Sequence, residues 1–165
     1  MIFLEIDYVE IFKNLPPNLA TMFISILPVS ELRGAIPVAI GIYQMSPLNA
    51  FFCAVLGNII PPILIIFFLD KIATFLSKHF TFWKKFFDWL FERTQKKAKD
   101  KIEKYGSWGL FFLVAIPLPM TGGWTGALAA FIFGIDKKKS IPVIILGIIT
   151  AGIIITLLTL GIKQI

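Results

Sequence analysis

Two charged side chains, Glu31 and Arg33, stand inside otherwise apolar sequence in the stretch Ile26-Leu-Pro-Val-Ser-Glu-Leu-Arg-Gly-Ala-Ile-Pro-Val-Ala-Ile40. A carboxylate there can exchange a proton or meet a cationic group. A neighbouring guanidinium can set its charge balance or hold an anionic headgroup. Insertion scales put each ion at the bilayer centre at about 2.5–3.5 kcal/mol, so the pair marks a site unless it reaches the interface. Pro28 and Pro37 bracket the charges, with Gly34 between them. Because proline deletes a helical hydrogen bond and crowds the preceding turn, the backbone is expected to be broken where the charges sit. Two residues apart, Glu31 and Arg33 diverge on a regular helix but point the same way along an extended break, where they can pair. The plainer alternative is a buried ion pair that only fixes the fold, or an Arg33 that snorkels to the outer interface.

A second break is expected at Pro117-Leu-Pro-Met-Thr-Gly-Gly123. Pro117, Pro119, Gly122 and Gly123 interrupt the chain there, and Thr121, Trp124 and Thr125 supply the hydrogen-bonding side chains. Gly122, Gly126 and Ala130 recur every four residues, the small-residue spacing that lets two helices touch backbone to backbone. Packing and substrate contact both fit these glycines, and Trp124 fits either a lid or a packed aromatic. Asn58 falls a third to half of the way along an apolar run, where it needs a partner, through interhelical bonding or ligation. No phosphate-cradling glycine loop, nucleophile and base, or carboxylate cluster is present, so no enzymatic activity and no cofactor are expected. Cys53 and His79 each occur alone, which leaves no disulfide framework and no metal site.

The elements that must position these residues follow from composition. The chain has 165 residues, 57% hydrophobic and 15% aromatic, with a mean hydropathy of +0.83. That is an all-α integral membrane protein with no ordinary soluble surface. The net charge of +6 does not point to nucleic acid, because ten of the sixteen basic residues lie between Lys71 and Lys104, fenced by apolar runs.

Residues 1–15 read as an interfacial helix, with Ile2, Ile6, Val9 and Phe12 against Glu5, Asp7 and Glu10. Its acidic residues stand where a cleavable leader needs basic ones, so retention is expected. Residues 16–70 form a first repeat, a hairpin over 17–44 and a span over 48–69 that Gly57 and Pro61-Pro62 should kink. Residues 71–104 form an amphipathic connector, with Phe80, Trp83, Phe86, Phe87, Leu90 and Phe91 against Lys84, Lys85, Asp88 and Glu92. Residues 105–165 repeat the plan, with a hairpin over 107–135 and a span over 141–162. Pro28 aligns with Pro117 and Gly57 with Gly147, at offsets of 89 and 90.

Each hairpin arm is far shorter than the roughly 20 residues a span requires. If the broken runs crossed completely, the connector and Lys137-Lys138-Lys139 would lie on opposite sides, against the positive-inside rule. If each run dips in and returns, both lysine clusters, 71–104 and 136–140, are cytoplasmic and the termini are outside. One full span then separates the repeats, which makes them inverted, and the hairpins approach near the midplane where inverted-repeat transporters place their sites.

These residues carry a resemblance. Ser30-Glu-Leu-Arg-Gly-Ala-Ile-Pro37, with Pro117-Leu-Pro-Met-Thr-Gly-Gly-Trp-Thr-Gly-Ala-Leu-Ala-Ala130 in order behind it, resembles the prokaryotic small multidrug export family, over about residues 16–162. That family is similar to the wider DedA superfamily, also called the VTT domain. The resemblance implies re-entrant hairpins in inverted repeats within the prokaryotic inner membrane. It further implies proton-coupled transport or the flipping of lipids, with Glu31 matching the acidic residue that follows the first hairpin's proline. Where the second hairpin of that superfamily carries arginines, this chain has Met120 and Thr121, and Arg33 supplies the intramembrane cation instead.

The leading functional expectation is a secondary exporter of small or amphiphilic solutes, ion- or proton-coupled through Glu31 and Arg33. A lipid scramblase and a membrane assembly factor docking through the connector are the alternatives. Expected partners are membrane lipids and a small amphiphilic solute or a lipid headgroup. A homodimer is compatible with the little volume one chain encloses.

Overall fold

The computed structural model describes residues 8–12, 14–79, 81–118 and 121–163, with the backbone alone at 8, 9, 70–87, 97 and 163. Eight helices and no strand occur among the described residues: α1 (Tyr8–Phe12), α2 (Pro17–Ile26), α3 (Glu31–Gly41), α4 (Pro47–His79), α5 (Thr81–Tyr105), α6 (Trp108–Ala115), α7 (Gly123–Ile132) and α8 (Lys137–Lys163). Most of the expected N-terminal interfacial helix falls outside the described residues; only its last turn, α1, is among them.

The expected hairpins are two pairs of short helices, α2 with α3 and α6 with α7. Each first arm ends for the same local reason. Leu27 and Ile116 leave the helix in extended conformation, at φ −67°, ψ 135° and φ −84°, ψ 113°, and each directly precedes a proline, whose ring disfavours the helical region for the residue before it. At 1.5 Å per residue, arms of 8 to 11 residues reach about 12–17 Å, roughly half of a hydrocarbon core.

α4 and α8 are different. Pro47–Leu69 and Lys137–Ile162 are long and apolar enough to cross a bilayer, and only 44% and 33% of their most apolar windows are buried within the chain. The exposed remainder is apolar too: Leu48, Phe52, Leu56, Ile60, Leu64 and Phe68 recur every fourth residue along α4, and α8 exposes Ile153, Leu157, Leu158 and Ile162. A water-soluble core helix would bury these; a lipid-facing one leaves them out. The hydroxyls of Thr150, Thr156 and Thr159 each donate to the carbonyl four residues back, so none reaches hydrocarbon unbonded.

Two boundaries differ from expectation. The first span and the start of the connector are one helix, since α4 runs on to His79 without a turn at residue 70. The second span begins earlier than residue 141: Asp136 accepts the Lys138 N–H at 2.7 Å and starts α8 at Lys137, so the lysines occupy its first turn and Pro142 lies inside it. The turn before it is a Schellman cap, with Ile135 N–H bonded to Ala130 O, Gly134 N–H to Phe131 O, and Gly134 at φ +61°.

The chain forms two compact units, residues 1–58 with 152–165, and residues 59–151. In the first, α2 and α3 pack over Ala20, Ile24, Ala35, Ile36, Ala39, Ala50 and Ala54, all fully buried. Gly57 brings α4 against Met22 so closely that an added methyl group would collide with main-chain atoms. In the second, Leu110, Leu113, Val114, Ala127, Ala129, Ile144 and Ile148 make the interior. There Gly147 of α8 meets Val114 and Phe111 of α6, and Gly126 meets Val114 and Ile144. In each unit, therefore, the first arm of the hairpin rests on a glycine of the long helix that follows it.

Candidate functional site

The break between α2 and α3 exposes the last carbonyls of α2, which have no helical donors. The Leu27 N–H folds back onto Ile24 O at 3.3 Å, and three further groups serve this end of the helix. The Ser30 hydroxyl donates to Ile24 O, the Glu31 N–H donates to Leu27 O at 3.0 Å, and the Asn58 amide reaches over from α4 to donate to Ser25 O at 3.0 Å. The Ser25 hydroxyl answers by donating to Ala54 O at 2.6 Å. Asn58 is thus a cap supplied by another helix. It is 1% exposed, and its own amide oxygen, Oδ1, meets no donor among the described residues. One turn later Pro61 and Pro62 lack the N–H groups that would have bonded the carbonyls of Gly57 and Asn58.

Glu31 restarts the chain as the first residue of α3, with a left-handed φ of 45°. That conformation is uncommon for a residue with a side chain and costs of order 1–3 kcal/mol when the surroundings impose it. The Gly34 N–H closes the first turn on Ser30 O at 2.8 Å, and a methyl group on Gly34 would strike the Ser30 side chain. The carboxylate is nearly buried and sits at a helix start, where the backbone dipole attracts negative charge.

Arg33 Nη2 lies 3.9 Å from Glu31 Oε2, with side-chain exposures of 25% and 7%. At an effective dielectric of about 20 that separation is worth about 4 kcal/mol of attraction. The penalty for removing each ion from water is of similar size, so the pair is not a strong structural lock. The pairing differs from expectation in its setting. The break is Leu27–Ser30, upstream of the charges, and both charged residues, Gly34 and Pro37 are within α3.

The second hairpin is closed by Thr121. Its hydroxyl is within 2.9 Å of Ile116 O and 2.8 Å of Leu118 O, and its N–H bonds Leu118 O, so this side chain ties its own turn together. Gly122 follows at φ 139°, ψ −163°, a region open only to glycine, as the residue just before α7. Trp124 and Thr125 stand half-buried in the first turn of α7. Pro117 is in the break, Gly123 and Gly126 are within α7, and Pro119 lies outside the described residues. Glu31, Arg33 and Asn58 belong to the first unit, and Thr121, Trp124 and Thr125 to the second.

Sequence reasoning missed Thr21, Ser25 and Ser30, all buried polar residues around the first break. Thr21 donates to Pro17 O and lies 3.4 Å from Met45 Sδ. The available signal was the four-residue spacing of Thr21 and Ser25, which puts two hydroxyls on one face of α2.

Two lipid-length helices, two broken helical hairpins and a buried carboxylate define a small helical membrane protein. The family model described as "Putative small multi-drug export protein" matches residues 31–154, and the chain belongs to that family. No curated protein and no solved structure matches the chain.

Proposed function

We propose that the chain is a secondary exporter of small or amphiphilic solutes, coupled to a proton or ion gradient through Glu31, with Arg33 balancing its charge. The observation that carries this reading is the state of Glu31: an ionisable side chain 7% exposed, on a strained left-handed backbone, with the Arg33 guanidinium beside it. A group that served the fold alone would gain by losing the strain and the desolvation. The unbonded Asn58 Oδ1 adds an acceptor close to the same break, suited to a solute hydrogen or a coupling ion. Trp124 and Thr125 contribute polar groups at the second break.

The same reading takes each hairpin as re-entrant. Lys137 Nζ lies 5.0 Å from the centre of the Phe67 ring, so α8 starts beside the end of the first candidate span, which supports a chain between them that returns to the side it left. Thr21, near the start of the first hairpin, touches Met45, just past its end. With one complete span between the repeats, they are inverted, and the lysines of α5 and of the α8 start fall on the cytoplasmic side.

The test is flux of a lipophilic cationic dye, ethidium, from proteoliposomes under an imposed pH gradient. Gradient-dependent movement that Glu31→Gln abolishes, with helicity and thermal unfolding retained, is the expected result. Transport by the Gln variant at the normal rate excludes Glu31 as the coupling group. Gradient-independent exposure of fluorescent lipid would favour a scramblase instead.

A further inference from the structure

Within the second unit an open trough of about 510 Å³ lies between the end of α7 and the start of α8. Ile66, Ala130, Phe131 and Ile135 make its apolar wall, and Asp136, Lys137 and Lys138 its charged rim. Its size is within the roughly 300–1,000 Å³ of ordinary ligand sites.

Three observations identify its occupant. The wall suits hydrocarbon. The rim is cationic: Lys137, Lys138 and Lys139 are all exposed, while the one acid, Asp136, turns its carboxylate onto the Lys138 N–H at 2.7 Å. The depth is that of the headgroups, because Ile66 is near the end of one candidate span, Lys137 opens the other, and the Lys137–Phe67 contact sets those ends side by side. A ligand at that level with an apolar tail and an anionic head is an anionic phospholipid.

We propose that the trough seats an acyl chain of an anionic phospholipid whose phosphate rests against Lys137 and Lys138. Charge without a tail fills only the rim, and a zwitterionic lipid gains little from the lysines. The site does not involve Glu31, so it stands or falls separately from the transport reading.

The experiment is native mass spectrometry of the purified full chain in non-ionic detergent, with dioleoyl phosphatidylglycerol competing against dioleoyl phosphatidylcholine. The phosphatidylglycerol adduct should be favoured at least tenfold. Each lysine lost should weaken it about fivefold, so that Lys137→Gln with Lys138→Gln removes most of the preference. Arginine at both positions should keep it, as should the control pair Lys96→Gln with Lys99→Gln on α5. Glycerol phosphate at the same concentration should not displace the lipid. Equal binding of the two lipids, a preference that survives the double glutamine variant, or displacement by glycerol phosphate would each overturn the proposal.

Discussion

The side-chain amide of Asn58 donates to the main-chain carbonyl of Ser25 across 3.0 Å, so a residue of a long helix caps the end of a short one that stops in apolar surroundings. Removing that donor leaves a buried carbonyl unbonded. Asn58→Ala is expected to lower stability by about 1–2 kcal/mol, above the roughly 0.6 kcal/mol typical of polar contacts between membrane helices. Reversible unfolding in mixed micelles measures it.

The glycines at close approaches should rank by what an added methyl group meets. Gly57→Ala strikes the backbone of Met22, which cannot swing aside, whereas Gly126→Ala strikes a Val114 methyl group and Gly41→Ala meets nothing. Thermal unfolding should therefore show the largest loss for Gly57→Ala, about 1–3 kcal/mol, a smaller one for Gly126→Ala, and none or a slight gain for Gly41→Ala.

Strain at Glu31 implies that stability and transport separate there. Asparagine tolerates a left-handed φ better than glutamate and carries no charge to desolvate. Glu31→Asn should fold with stability equal to or about 1 kcal/mol above that of the parent and show no gradient-driven flux. A variant both less stable and fully active would contradict the role assigned to the carboxylate.

On α5 the Lys96 ammonium bonds Glu92 at 2.8 Å and, through that hydrogen bond and its charge, holds the Glu92 carboxyl below its ordinary value. A lowered value in the folded state means that the pair stabilises the helix above the unfolded carboxyl's range and stops doing so as the pH falls through the lowered one. NMR titration should place the Glu92 midpoint low and return it to the ordinary range in Lys96→Gln.

Much of this was legible because lipid leaves few choices. Runs too short to span, interrupted at Pro28 and Pro117, can only be hairpins or buried pieces, and Leu27 and Ile116 end their helices as residues before proline do. The placement of the first break was not legible. Pro37 and Gly34 look like breakers, yet the helix restarts at Glu31 and runs through both, because the left-handed turn at Glu31, the Ser30 cap and a cap from Asn58, 33 residues along the chain, settle the ends of α2 and α3. Ser25 and Thr21 drew no notice in the sequence for a related reason. Hydroxyls on a membrane helix commonly bond their own preceding turn, as Thr21 does, and only the fold reveals that Ser25 bonds Ala54 instead. The start of α8 moved because Asp136 caps it, a signal short enough to be hidden by the three lysines behind it.

The most direct test of the re-entrant arrangement needs no substrate. With Cys53→Ser removing the lone cysteine, single cysteines are placed at the exposed positions Lys99, Lys138 and Gln44, and sealed vesicles of known orientation are treated with a membrane-impermeant thiol reagent. The account predicts that Lys99→Cys and Lys138→Cys are modified from the cytoplasmic face and Gln44→Cys from the other. Modification of Lys99→Cys and Lys138→Cys from opposite faces would mean that the α6–α7 hairpin crosses the bilayer, and the account would be wrong.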